Sequence, residues 1–362
     1  MKYVDLERQY MAYKTEIDRE IKSVLDDVSF INGPKIDELE NDLKNFIGSG
    51  DVIACSSGTD ALLLSLMVLG VKPGDEVLVP AFTFIATATM VKLLGAIPVF
   101  VDVDPISYTI NVAELSGRIT DKTVGIIPVS LFGQCADMES INKLAKQHNF
   151  WVIEDAAQSF GASRNGKLSC SISDIATTSF FPAKPLGGFG DGGAIFTKNK
   201  DFGNILSSIR NHGQEGRYNH IRLGINARMD TLQAAIIRVK LKYFEKEVIR
   251  RNEIAQQYSH QLKDYVKIPF ISKGNRSSWA QYTITCQKRD DLREYLSERN
   301  IPTAVHYPKP LNKQPVFQSN TNVVCPVSEN LSRTVLSLPM HPFLADKEII
   351  SITNAVREFY GK

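Results

Sequence analysis

The chain has 362 residues, which at ~150 residues per domain allows two or three domains with sizeable cores and excludes a small stapled module. Hydrophobic residues at 43% and charged residues at 23% exclude disorder, and 42 Lys and Arg against 40 Asp and Glu leave a net charge of +2, with no basic run to hold nucleic acid. Five scattered cysteines without a CxxC pair exclude a disulfide framework and a zinc site, and no apolar run reaches the ~18 residues of a membrane span.

Residues 1–7 lack an apolar signal segment, so a cytoplasmic protein is expected. The first fifty residues predict two helices, the second opened by Gly33-Pro34 and carrying Ile36, Leu39, Leu43 and Phe46 on one face. Short apolar runs at 52–55, 77–79, 99–101, 124–129, 151–153, 175–180 and 194–197 then alternate in part with helical stretches such as 61–69 and 85–94. Continuous apolar strands separated by helices predict a mostly parallel sheet buried on both faces, hence an α/β class domain.

Four places along this core carry chemistry. Ser56-Ser57-Gly58-Thr59-Asp60 joins a strand to a helix N-terminus, where free N–H groups and hydroxyls cradle an anion; simple helix capping by Ser57 or Thr59 is the plainer alternative. Phe82 and Phe84 follow the second strand and suit either the core or an aromatic stacking face. Glu154-Asp155 ends a buried strand, at the edge where open α/β sheets bind ligands, although an Asp there can also cap the next helix. Lys184, flanked by Phe180, Phe181, Pro182 and Pro185, is partly desolvated and held in an extended loop, which favours a neutral, nucleophilic amine over an ordinary surface lysine.

The string from Gly188 to Gly193 matches GxGxxG, but a strand follows it where a dinucleotide fingerprint needs a helix, so these glycines predict tight turns beside a bound group. A polar loop at 211–228 leads into a long helix at about 230–262, and the remainder alternates strand, helix and a proline-laden stretch at 302–315. The expected division is a large α/β domain over 1–245, with the N-terminal helices, and a small α+β domain over 246–362.

An amine for an aldehyde, a carboxylate for a pyridine nitrogen, an anion cradle and an aromatic face are together the needs of pyridoxal phosphate. Lys184, Asp155, Ser57 to Thr59 and Phe82 or Phe84 supply them.

The sequence resembles the nucleotide-sugar aminotransferases of the DegT/DnrJ/EryC1/StrS family along nearly its whole length. The resemblance rests on Ser57-Gly58-Thr59-Asp60-Ala61-Leu62, Pro73-Gly74-Asp75-Glu76-Val77, Glu154-Asp155-Ala156-Ala157-Gln158, Phe180 through Gly193, and Gly224-Ile225-Asn226-Ala227-Arg228-Met229. It implies the type I fold of pyridoxal phosphate-dependent transferases, the aspartate aminotransferase type, as a homodimer with shared active sites. Lys184 and Asp155 are then catalytic. Lys184 holds the cofactor aldehyde, Asp155 its pyridine nitrogen and Gln158 its phenolic oxygen. Gly58, Thr59, Ser179 and the partner subunit's Asn226 bind the phosphate, and Phe84 covers the ring. Arg228, His306 and Tyr307 are implied on the substrate side, contributed by the second subunit. No metal is implied.

Lys184-Pro185-Leu186, in place of the Lys-Asn-Leu of many relatives, resembles a narrower subgroup with the UDP-2-acetamido-2-deoxy-3-oxo-glucuronate aminotransferases, as do residues 128–137 and 306–315. The implied reaction takes an amino group from L-glutamate, leaves 2-oxoglutarate and passes through pyridoxamine phosphate. Its expected place is surface polysaccharide (O-antigen) synthesis, with other sugar positions or dTDP and GDP nucleotides as the alternative. A sugar dehydratase with His at the cofactor lysine is opposed by Lys184. A silent sugar-sensing regulator is opposed by Lys184 together with Asp155.

Overall fold

The computed structural model describes residues 1–48, 50–320 and 323–361. Seven strands form the main sheet, in the spatial order Asp51–Cys55, Gly193–Thr197, Ile175–Ser179, Trp151–Asp155, Thr123–Ile126, Glu76–Pro80 and Ile97–Val101. All neighbouring pairs are parallel except those made by Gly193–Thr197, which runs antiparallel to both of its neighbours.

The continuous apolar runs divide by alternation between two packed faces. Ile53, Val77, Val79, Ile153, Ile175 and Ile195 point to one side, into a core shared with the helices Gly58–Val68 and Ala86–Leu93. Ala54, Ala176 and Phe196 point to the other, where the helix Pro34–Ile47 and the start of the long helix Thr231–Leu262 cover them. The predicted strand at 124–129 ends at Ile126 in regular form. Pro128 has no N–H to continue the ladder, and its carbonyl instead accepts from Asp155 N at 2.9 Å. Two-residue strands at Ser163–Arg164, Lys167–Leu168 and Asn275–Arg276 make a small ribbon too short to leave a periodic signal.

The long helix spans two cores. Ile237, Phe244 and Val248 pack under the large sheet, whereas Ile254, Tyr258 and Leu262 pack with the antiparallel pair Tyr282–Thr285 and Val335–Leu338 and the helices Arg289–Glu298 and Asp346–Phe359. Residue 245 falls within this helix. The proline-laden stretch is tied back to the large sheet by Leu311 N donating to Ala81 O at 2.7 Å. All five cysteines are buried and unpaired. Among the described residues no helix is long and apolar enough to cross a membrane, and no His, Cys, Asp and Glu cluster could hold a metal.

Candidate active site

The carboxyl ends of the parallel strands open into a cleft of about 410 Å³. Into it project Gly58 and Thr59 from a helix start, Phe84 from a strand exit, Asp155 at the end of Trp151–Asp155 with Gln158 just beyond, Ser179 at the end of Ile175–Ser179 with Lys184 beyond, and His306 and Tyr307 from the proline-laden stretch.

Asp155 and Glu154 point oppositely because they are successive strand residues. Glu154 is buried and accepts from Ser130 Oγ, Ser169 Oγ and Cys170 N at 3.1, 2.7 and 3.0 Å. Asp155 faces the cleft, accepting from Thr87 Oγ1 at 2.8 Å and Ala157 N at 3.2 Å. Burial raises its carboxyl above the usual range, opposed by the Thr87 and Ala157 hydrogen bonds and the Lys184 charge. Burial conversely lowers the Lys184 amine, with the charge of Asp155 opposing. Lys184 sits in a turn rather than an extended loop, its N–H donating to Phe181 O at 2.8 Å.

Ser57 is a helix cap that also faces the cleft, its hydroxyl accepting from Asp60 N at 3.0 Å. The helix start is pressed against the neighbouring strand: a Cβ on Gly58 would lie 2.7 Å from Ser179 Cβ, and one on Gly193 would lie 2.4 Å from the carbonyl carbon of Ser57. This contact keeps side chains away from the helix N–H groups and leaves them open to an anion. Gly188 and Gly190 turn beside Gln233, whose amide a Cβ on either would meet at 2.8 and 3.0 Å.

Phe82 is 1% exposed within a core cluster, whereas Phe84 is 52% exposed and lines the cleft. Gln158 Oε1 accepts from Phe132 N at 3.0 Å and its amide nitrogen donates to Tyr307. His306 Nδ1 lies 3.1 Å from Ser337 Oγ, and burial, reinforced by Lys184, lowers its pKa to about 4. His306 and Tyr307 correct one expectation: they reach the cleft of their own chain, because the Leu311 to Ala81 bond docks their segment on the same sheet. Asn226 and Arg228 do not line this cleft. Asn226 pairs with Asn211, whose side-chain oxygen accepts from Arg228 Nη1 at 2.6 Å, while Arg228 Nε is buried without a hydrogen-bond partner among the described residues.

Sequence reasoning missed Thr87, whose link to Asp155 spans 68 residues and leaves no local mark. It also missed Gln281, a cleft residue whose Oε1 is buried without a partner among the described residues. A low-pKa primary amine, a buried carboxylate and an open helix N-terminus in one cleft fit pyridoxal phosphate as a donor set.

The sequence pattern of the DegT/DnrJ/EryC1/StrS aminotransferase family matches residues 12–357. The chain belongs to this family. It is 48% identical to the UDP-2-acetamido-2-deoxy-3-oxo-D-glucuronate aminotransferase of Pseudomonas aeruginosa over 98% of this chain and 99% of that one. It is 41% identical to a pleiotropic regulatory protein of Geobacillus stearothermophilus over 99% and 98%. A family aminotransferase from Brucella abortus superposes with a TM-score of 0.97 at 42% identity, covering both chains fully. The fold is therefore the type I fold of this family, and similar solved structures include pyridoxal and pyridoxamine phosphate forms. As a DegT-family aminotransferase, the chain uses pyridoxal phosphate.

Proposed function

We propose that this aminotransferase moves an amino group from L-glutamate to C3 of UDP-2-acetamido-2-deoxy-3-oxo-D-glucuronate, making a 3-amino uronic acid for bacterial surface polysaccharide. The observation that carries this reading is 48% identity, nearly end to end, with an enzyme named for that substrate. The bound cofactor supplies an electron sink for negative charge at the carbon bearing the amine.

The chain's residues do the rest. Lys184 Nζ would hold the cofactor through its aldehyde and, when free, would move a proton at the donor's α-carbon, a role helped by burial, which lowers its pKa and favours the neutral amine. Asp155, oriented by Thr87 and Ala157 N–H, would face the ring nitrogen and hold its proton. The N-terminus of the Gly58–Val68 helix, with Thr59 and Ser179, takes the phosphate. Phe84 covers the ring, and the linked pair Gln158 and Tyr307 faces the phenolic side. His306 meets the sugar nucleotide. In this reading the protein is a cytoplasmic homodimer, in which Asn226 and Arg228 serve the partner subunit's cleft.

The Geobacillus relative is named a pleiotropic regulatory protein. Lys184 and Asp155 in one cleft favour the enzyme, because a sensor needs neither.

The test is a panel of UDP-, dTDP- and GDP-linked keto sugars with glutamate, read by mass spectrometry of the amino sugar. Turnover with the UDP-linked 3-oxo-glucuronate is expected. Turnover of a dTDP- or GDP-linked sugar with none on the UDP substrate would overturn the assignment.

A further inference from the structure

The loop that follows Lys184 is held by one face of the long helix Thr231–Leu262. Gln233, Ile237 and Lys240 recur there at helical spacing. Gln233 Oε1 accepts from Phe189 N at 2.8 Å, and the Gln233 amide lies so close to Gly188 and Gly190 that a Cβ on either would crowd it. Ile237 Cδ1 would lie 3.6 Å from a Cβ on Gly188.

Lys240 is 2% exposed, and its ammonium donates to the Gly187 carbonyl. The ring of Phe189 lies 5.2 Å from the same nitrogen. Burial lowers the Lys240 amine to about 8, with Glu247 opposing and Arg251 reinforcing. Burying a cation costs several kcal/mol or more before its partners offset it, and an apolar side chain would fill the same space without that cost. The distinctive contribution of Lys240 is its bond to the loop.

Among the described residues, Lys184 N to Phe181 O, Gly188 N to Phe180 O and Phe180 N to Gly192 O tie the loop to its own strand ends, Leu186 is buried in the sheet core, and the Tyr10 ring lies 5.8 Å from that of Phe189. Gln233 and Lys240 attach it to a rigid element. We propose that Gln233 and Lys240 are positioning residues that clamp the 185–190 loop to the long helix and thereby hold the Lys184 amine in the cleft. This rests on the reading of Lys184 as the cofactor lysine.

The test compares Gln233→Leu, Gln233→Glu and Lys240→Met with the parent, as full-length protein with and without pyridoxal phosphate. In the cofactor-free protein, amide hydrogen exchange of the 185–190 peptide should quicken roughly tenfold in Gln233→Leu and Lys240→Met, with the strands Ile175–Ser179 and Gly193–Thr197 unchanged. Gln233→Glu keeps the acceptor for Phe189 N and should restore slow exchange. In the loaded protein, the pH midpoint of the lysine-bound cofactor's absorbance should move in the first and third variants and return in Gln233→Glu. Parental exchange in the loop and an unmoved midpoint would overturn the clamp. So would quickening spread evenly along the long helix, which marks loss of stability alone. If Lys240→Met fails to fold, Gln233→Leu decides, its side chain being only partly buried. Borohydride reduction and peptide mapping separate the two readings. A label at Lys184 with unmoved exchange and midpoint overturns the clamp, and a label on another lysine overturns the role of Lys184 itself.

Discussion

Gln158 and Tyr307, 149 residues apart, are joined by a 2.8 Å hydrogen bond from Gln158 Nε2 to Tyr307 Oη. The bond connects the segment just after a large-sheet strand to the proline-laden stretch, and so ties two walls of the cleft together. Burial raises the Tyr307 hydroxyl above its usual range, with the Gln158 bond opposing, so this group stays a neutral phenol at working pH.

Tyr307→Phe removes the hydroxyl and leaves a buried amide without its acceptor, a cost of about 1–3 kcal/mol. The expected result is a fall in kcat/KM of roughly five- to hundredfold, with the cofactor still bound. Steady-state kinetics and the absorbance of the loaded protein check it; unchanged kinetics would remove the pair from the cleft's working parts.

Asp155→Asn should cost several orders of magnitude in rate, because an amide cannot hold a ring proton by charge. Retention of more than about a tenth of parental activity, a loss under ~1.4 kcal/mol, would end the ring-nitrogen role. Thr87→Val is the subtler case. Its hydroxyl favours the ionised carboxylate, so its loss raises the Asp155 pKa further, and the acidic limb of the rate profile should move to higher pH.

Mixed dimers test the shared site. Lys184→Ala and Arg228→Ala subunits, each inactive alone, should regain activity when exchanged, since one cleft in each mixed pair then has both residues. Exchange seen by mass spectrometry without recovered activity would show that each cleft is built from one chain.

His341, 2% exposed with Nδ1 unpartnered among the described residues, has its pKa lowered from 6.5 to about 4 by burial and then by Arg251. Its folded pKa lies below the unfolded one, so its contribution to stability is present above pH 6.5 and is lost as the pH falls toward about 4. The contribution is on the order of 3 kcal/mol. His341→Leu should flatten the acid side of a Tm against pH curve in that window, leaving the part due to His306. A curve as steep as the parent's would mean that His341 is not the titrating group.

The main-sheet strands and the helices named from sequence were readable because their apolar runs are continuous or helically spaced, and Lys184 and Asp155 stood out because their neighbours mark them locally. Phe132 N to Gln158 and Thr87 to Asp155 were not, since each joins segments brought together only by sheet order. The antiparallel direction of Gly193–Thr197 has no composition signal, and a fully apolar strand reads the same either way. The placement of His306 and Tyr307 on their own cleft follows from contacts between distant segments, such as Leu311 N to Ala81 O and Gln158 to Tyr307, that leave no local mark.

The five buried thiols give the fold a set of internal reporters. Burial raises each thiol pKa, to about 12 for Cys55 and Cys325, so a folded molecule presents almost no thiolate to an alkylating reagent. Modification then waits on opening of the surrounding structure. Cys55 and Cys325 sit in the large-sheet core and Cys286 in the small one. Alkylation followed by peptide mapping would therefore time the opening of the two regions separately in the unaltered protein, and show which lets go first as denaturant is raised.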